Sequence, residues 1–330
     1  TLDRLKRIEI EPDYETWKEY AYKKGVHASV MTYLAARKKD FYKIENAADG
    51  KHFVTARGWD DLSEMIKLYE ENGLAVDEQL ICQYLQDARI SKDFAIYYDL
   101  FNKYRSDYQV EKILDGTVSE SIVLRAERAS MDERLSLLGL IFDSVMAQLR
   151  TVCERENILD LVTGQLKTLK EKLKDVSGAA ALLSKMIEAE REKLERGKQS
   201  SSISPQTQRE TRFMLEYLEE FRAAVMQSGT AQKDEFSIVR ESFAQKVAEL
   251  KGLAADGGRA LENVFSFCEK AFADGDEILI FVTELTANYY SARFIGRYGC
   301  DRYYMHNKQL QFDQRQQEII KRMDEIQWTV

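Results

Sequence analysis

The sequence predicts an all-α protein: a small, compact helical module followed by an elongated helical-hairpin or coiled-coil extension, with a single β-strand at the N-terminus. Three observations carry this reading. Only two prolines, Pro12 and Pro205, interrupt 330 residues. Charged residues make up 32% of a chain rich in Leu, Ala, Glu and Lys, which is the composition of long helices. Met131, Leu135, Leu138, Phe142, Val145, Leu149 and Val152 alternate spacings of 4 and 3, a sustained heptad seam. A chain this long supports more than one unit. The pattern places boundaries at 1–12 (strand), 13–105 (helical module) and 106–330 (extension).

Residues 5–11, Leu-Lys-Arg-Ile-Glu-Ile-Glu, alternate apolar and polar, and Pro12 ends them. A lone strand needs a sheet, and no partner strand is evident elsewhere. Together with the missing initial Met, this reads as a fragment of a longer protein. Asp13 starts a helix to about Lys24, with Tyr14, Trp17 and Ala21 inward and Gly25 as its stop. Ala28 or Ser29 starts the next, with Val30, Tyr33 and Leu34. Residues 43–54, holding Asn46, Asp49 and Gly50, read as a loop.

The stretch from Phe53 to Gly73 is a helix with both ends marked. Thr55 is its N-cap, because its hydroxyl can accept from the free N–H groups of the first turn. Gly73 closes it as a left-handed residue. Trp59, Leu62, Ile66 and Tyr69 repeat at 3, 4 and 3, one buried stripe. Asp77 caps a helix through about Ala88, and another covers 91–104.

In the extension, one helix over 117–156 would be roughly 60 Å long at 1.5 Å per residue. Gly139 interrupts its seam at a cost near 1 kcal/mol relative to Ala unless a partner packs closely there. Leu159, Val162, Leu166, Leu169 and Leu173 continue the rhythm. Residues 197–205, Gly-Lys-Gln-Ser-Ser-Ser-Ile-Ser-Pro, form a polar loop at the tip between two long antiparallel helices. Helices follow at 206–227, 232–252 and 258–273, broken at Ser228-Gly229, Asp256-Gly257-Gly258 and Asp274-Gly275. A terminal helix pair, 276–296 and 300–326, is joined at Gly296-Arg-Tyr-Gly299.

A net charge of −8 argues against general nucleic-acid or anionic-membrane binding. Cys82, Cys153, Cys268 and Cys300 are scattered without a CxxC, so they read as reduced thiols of a cytoplasmic protein. No apolar run reaches the roughly 18 residues needed to span a membrane. His27, His52 and His306 form no metal-ligand spacing. From Arg293 to Arg322 there are seven Lys/Arg against three Asp/Glu, interleaved with Tyr298, Tyr303, Tyr304 and Phe312. A solvated helix with an aromatic core face accounts for this more cheaply than a nucleic-acid or protein-binding surface. The polar stripe Glu284, Asn288, Ser291 reads as structural hydrogen bonding between helices.

Arg57 lies off the buried stripe in the first turn of its helix, against the positive end of the dipole. An arginine where local electrostatics disfavour it is a candidate anion ligand. The bland alternative is an i,i+4 pair with Asp61. Around it, Trp17-Lys-Glu-Tyr-Ala21, Gly25-Val-His27, Val30-Met-Thr-Tyr-Leu34-Ala-Ala-Arg-Lys-Lys-Asp-Phe41 and Phe53-Val-Thr-Ala-Arg-Gly-Trp-Asp-Asp-Leu-Ser63 follow in order. This series resembles the C-terminal lid of the MoxR-type AAA+ ATPases over roughly residues 1–100. The resemblance implies that Arg57 is a sensor-2 arginine reaching the γ-phosphate of ATP, with Ala56 where the family has proline. It also implies that Arg4, in Leu2-Asp3-Arg4-Leu5, acts in trans on a neighbouring subunit's nucleotide. His27 resembles the family's Gly-x-His turn, where a capping role is implied. For the intact protein it implies ATP and Mg2+, a ring-shaped homo-oligomer, and a chaperone or maturation role beside a von Willebrand A-domain protein.

The catalytic half is missing from this sequence. No G-x-x-x-x-G-K-[ST] occurs, so nothing cradles phosphates. Ile278-Leu-Ile-Phe-Val-Thr-Glu284 imitates a Walker-B strand but continues with helical spacing. By itself the chain is not expected to hydrolyse ATP. A rival expectation is a stand-alone helical scaffold or adaptor without nucleotide chemistry.

Overall fold

The structure, a computed structural model, describes residues 11–47, 50–174, 178–200, 202–228, 235–273 and 275–308. The expected strand at 5–11 lies outside these apart from residue 11, Arg4 lies outside altogether, and so does the expected terminal helix beyond residue 308. The described chain is overwhelmingly helical, as its composition predicts. It divides into two compact units, Thr1–Met146 with Arg259–Val330, and Ala147–Gly258. Both boundaries between these units fall within a helix.

In the first unit, α1 (Tyr14–Lys24) starts at Asp13, whose carboxylate accepts from Thr16 N–H at 2.8 Å. Residue His27 caps α2 (Ala28–Ala36), and a 3₁₀ turn follows at Lys38–Asp40. Residues 43–54 correct the sequence reading. Within that range β1 (Lys43–Ala47) and β2 (Gly50–Val54) pair antiparallel, with Ile44 opposite Phe53 and Lys43 opposite Val54. The strands carry almost no apolar alternation, so periodicity missed them. The Asp49-Gly50 dipeptide was the available signal.

Next come α3 (Ala56–Glu71), α4 (Glu78–Tyr84), α5 (Ala88–Tyr108), α6 (Val110–Leu114) and α7 (Glu120–Arg128). Their core is aromatic. Tyr33, Trp59 and Phe94 meet pairwise at 5.2–5.7 Å between ring centroids. Ala21, Leu34, Leu62 and Ile66 are fully buried around them.

The expected single helix over 117–156 is two. α7 stops at Arg128 and α8 (Met131–Lys172) restarts after Ala129-Ser130. Arg134 secures this break. Its Nε donates to the Ala129 carbonyl at 3.0 Å, an Nη donates to the Glu127 carbonyl, and Nη1 donates to Glu277 at 2.8 Å. Along α8, Leu138, Phe142, Val145, Leu149 and Val152 are buried as the heptads require, while Met131 is 48% exposed. Contrary to the sequence reading, α8 holds one stretch apolar and long enough to cross a membrane, but half of that stretch is buried inside the protein. Core helices meet the same criterion.

The expected break at Asp256-Gly257-Gly258 is absent: α11 (Glu235–Phe272) runs straight through. Ala254, Leu261, Val264 and Phe265 are all buried, and that burial outweighs the propensity cost of the glycines. The terminal pair also breaks elsewhere. α12 (Asp276–Ala287) ends at Asn288, whose carboxamide caps α13 (Tyr289–Tyr298) by accepting from Tyr290 N–H at 2.9 Å. A further helical stretch covers 301–308. The Walker-B imitation is therefore the core helix α12.

In the second unit, α9 (Ala179–Gln199) and α10 (Pro205–Ser228) are antiparallel neighbours, tied by Arg191 to Glu219 and by Arg222 to Ser184. Their connection is shorter than the predicted 197–205, because Gly197, Lys198 and Gln199 still belong to α9. Leu183, Leu218, Phe221 and Val239 are fully buried at the centre of this unit, with Val162 and Leu169 of α8.

Candidate functional site

The candidate site is the first turn of α3. The hairpin delivers the chain to Thr55, whose hydroxyl accepts from Gly58 N–H at 3.2 Å, the predicted cap. The position of Gly58 is dictated by a close approach. A Cβ there would sit 2.7 Å from the Tyr84 carbonyl oxygen, so only glycine lets α3 begin against the end of α4. Residue Trp59 is fully buried and its indole N–H donates to the Phe41 carbonyl at 3.2 Å. Gly73 has φ +65°, the predicted left-handed stop. The turn is therefore held on both sides of Arg57.

Arg57 itself points out, with its side chain 89% exposed. Among the described residues its polar contact is Nε to Asp61 Oδ2 at 3.4 Å, the i,i+4 pair. Such a pair is weak when exposed and screened, so the guanidinium is available to an incoming anion. One turn away, Asp60 accepts from Lys24 at 3.2 Å through Oδ2, while its buried Oδ1 has no hydrogen-bond partner among the described residues. Ile44 and Phe53 on the neighbouring hairpin stand 54% and 43% exposed. The second predicted residue, Arg4, lies outside the described residues.

The histidines serve structure. His27 Nδ1 accepts from Ser29 N–H at 3.3 Å and lies 2.7 Å from Ser29 Oγ, capping α2. Its Nε2 lies 3.2 Å from Glu70 Oε2, and Tyr98 donates to the other Glu70 oxygen at 2.8 Å. Burial pushes the Glu70 carboxyl upward, but the hydrogen bonds from His27 and the Tyr98 hydroxyl outweigh it and leave the group below its usual 4.5. His52 Nδ1 bonds the Gln86 carbonyl at 3.0 Å, and His306 stacks on Phe265. The polar stripe resolves as structural bonding. Glu284 accepts from Lys18 Nζ at 2.5 Å and from the Tyr22 hydroxyl, Asn288 is a cap, and Ser291 donates to the Leu285 carbonyl at 2.5 Å. Sequence reasoning missed the Lys18 and Tyr22 partners of Glu284, which lie more than 260 residues away. No local pattern signals such a pairing.

As a nucleotide site, this turn fits one role only. A single exposed guanidinium can meet a phosphate oxygen, but the turn offers no cradle for the remaining phosphates. No group of three or more His, Cys, Asp or Glu placed to hold a metal ion occurs among the described residues. Comparison with family models, with curated proteins and with solved structures finds no match.

Proposed function

We propose that this chain is the C-terminal portion of a MoxR-type AAA+ ATPase. Residues 13–105 are the lid, closing over ATP held by a core outside this chain. Residues 106–330 are an extension that engages substrate or partner in chaperone or maturation work. The observation that supports this reading is Arg57: an 89% exposed guanidinium on a helix turn that Thr55, Gly58 and Trp59 hold in place. Phosphoryl transfer is catalysed largely by fixed positive charge on the phosphate oxygens. A guanidinium carried on a closing lid supplies that charge only when the lid is shut. ATP is bound and Mg2+ is held by the core in this reading. The protein works in the cytoplasm as a ring-shaped homo-oligomer, beside a von Willebrand A-domain protein, with Arg4 serving the neighbouring subunit.

The test is Arg57→Ala in the chain joined to its ATPase core. ATP turnover is expected to fall about 100-fold, as for other lost transition-state contacts. Turnover equal to the parent's would rule the assignment out. The rival reading, a helical scaffold without nucleotide chemistry, draws on the Arg57–Asp61 pair. If that pair is the whole role of Arg57, Asp61→Asn and Arg57→Ala change helix stability alike and neither changes turnover.

A further inference from the structure

The sheet formed by β1 and β2 has one occupied edge and one open edge. On the β2 side, the Phe53 carbonyl accepts from Gln86 N–H at 3.2 Å. That carbonyl points away from β1, so Ile44 and Phe53, directly opposite, exchange no hydrogen bonds. The N–H and C=O of Ile44 therefore point away from β2. Among the described residues no hydrogen bond reaches either group, and β1 pairs with β2 alone. The same pair stands on an apolar face turned to solvent. Ile44, Phe53 and Tyr42, two residues before Ile44, are 54%, 43% and 42% exposed, whereas Val54, on the other face, is fully buried. Two strands alone are marginal in water, and an open edge is a template for a third.

Residues 5–11, Leu-Lys-Arg-Ile-Glu-Ile-Glu, have the strand pattern and lie outside the described residues apart from Glu11. The point where they join the described chain adjoins β1. The Tyr14 ring packs edge-on against Phe41 at 5.6 Å between centroids, and Glu15 accepts from Lys38. The start of α1 is thus fixed beside the residues that lead into β1. A chain arriving there from residue 5 runs opposite to β1, which departs from the same place. At about 3.3 Å per residue, 5–11 extend about 23 Å, enough to cover the five residues of β1.

We propose that residues 5–11 are the third strand of this sheet, antiparallel to β1, with Ile8 opposite Ile44. In this register Ile10 falls opposite Tyr42, Glu9 opposite Lys43 and Arg7 opposite Glu45. A shift by one residue would put Ile8 and Ile10 on the face of Lys43 and Glu45. A shift by two would set Glu9 against Glu45 or Arg7 against Lys43, like charges directly opposite. Pro12, with no N–H to donate, ends the pairing. Ile8 and Ile10 extend the apolar face of Ile44 and Phe53. Because β2 leads directly into Thr55 and α3, the third strand steadies the approach to the turn that carries Arg57. The inference needs no nucleotide and stands if the ATPase reading fails.

Two measurements on the full 330-residue chain test it. The Ile44 amide is expected to be protected from hydrogen exchange in the parent, and to exchange about tenfold faster or more in Ile8→Pro, which removes the opposing N–H. In a Cys82→Ser background, which removes the exposed thiol, Ile8→Cys with Ile44→Cys is expected to form a disulfide within one chain under mild oxidation. Opposed residues of an antiparallel pair place their Cα atoms about 5.5 Å apart, within reach of the bond. Glu9→Cys with Ile44→Cys is expected not to cross-link, because the two thiols face opposite sides of the sheet. An Ile44 amide that exchanges equally fast in parent and Ile8→Pro overturns the proposal. So does cross-linking of both cysteine pairs alike, of neither, or between chains, the last showing that a second copy takes the edge. Should Ile8→Pro fail to fold, the cross-links decide alone.

Discussion

His27 shows how a single side chain can join two helices. To cap α2, its Nδ1 must be an acceptor, which assigns the proton to Nε2 and makes Nε2–H the donor to Glu70. Replacing it by Asn keeps a capping acceptor, while Ala removes it, so His27→Ala is expected to cost about 1 kcal/mol more than His27→Asn in urea unfolding. Glu70 carries the pH dependence of this cluster. Its carboxyl is lowered in the folded state from 4.5, so the stability it contributes is full above about pH 4.5 and is lost as the pH falls through the lower folded value. Urea midpoints measured from about pH 5 to pH 3 are therefore expected to fall less steeply for Glu70→Gln than for the parent. For Arg57 the expectation in the isolated chain is the opposite of a structural residue. At 89% exposure, its replacement by Ala leaves the melting temperature within about 2 °C. The capping roles of Asp13, Thr55 and Asp77, and the turn at Gly73, were legible from residue type and position alone. The carbonyl of Tyr84 that dictates Gly58 was not, because it arrives from another helix.

Helices illustrate two uses of glycine that look identical in sequence. Gly139 in α8 faces α2 so closely that a Cβ would stand 1.9 Å from Thr32 Cγ2. Gly139→Ala is accordingly expected to destabilise by about 1–3 kcal/mol through overpacking, although alanine is the better helix former. Gly252 and Gly258 in α11 have nothing within 4 Å of a built Cβ. There the same substitution is expected to stabilise by about 0.5–1 kcal/mol each, read as a shift in the thermal midpoint. Opposite signs from one substitution would separate packing from propensity, and equal signs would count against the close α2–α8 approach. The element boundaries that sequence misplaced share this origin. The helix break at Ala129-Ser130 is secured by Arg134 reaching a distant Glu277, and the continuity through Gly257-Gly258 by burial of the residues around it.

At the scale of the whole molecule, each unit owns a core, the aromatic cluster around Trp59 and the cluster around Phe221. Phe221 is fully buried, so Phe221→Ala is expected to cost about 3–5 kcal/mol. Hydrogen exchange should then rise first in α9 and α10, with α2 and α3 least affected. Uniform loss of protection across both units would show that they unfold as one. Sequence by itself determined the all-α class, most helix starts, the heptad face of α8 from Leu138 onward, and the identity of the exposed arginine. These follow from local rules: a 3.6-residue period, caps within three residues, and a side chain off the apolar stripe. Tertiary structure alone decided the hairpin at 43–54, where helices break or continue, and the partners of Glu284. Those depend on contacts between residues dozens to hundreds of positions apart, where burial and hydrogen-bond satisfaction, rather than intrinsic propensity, set the free energy.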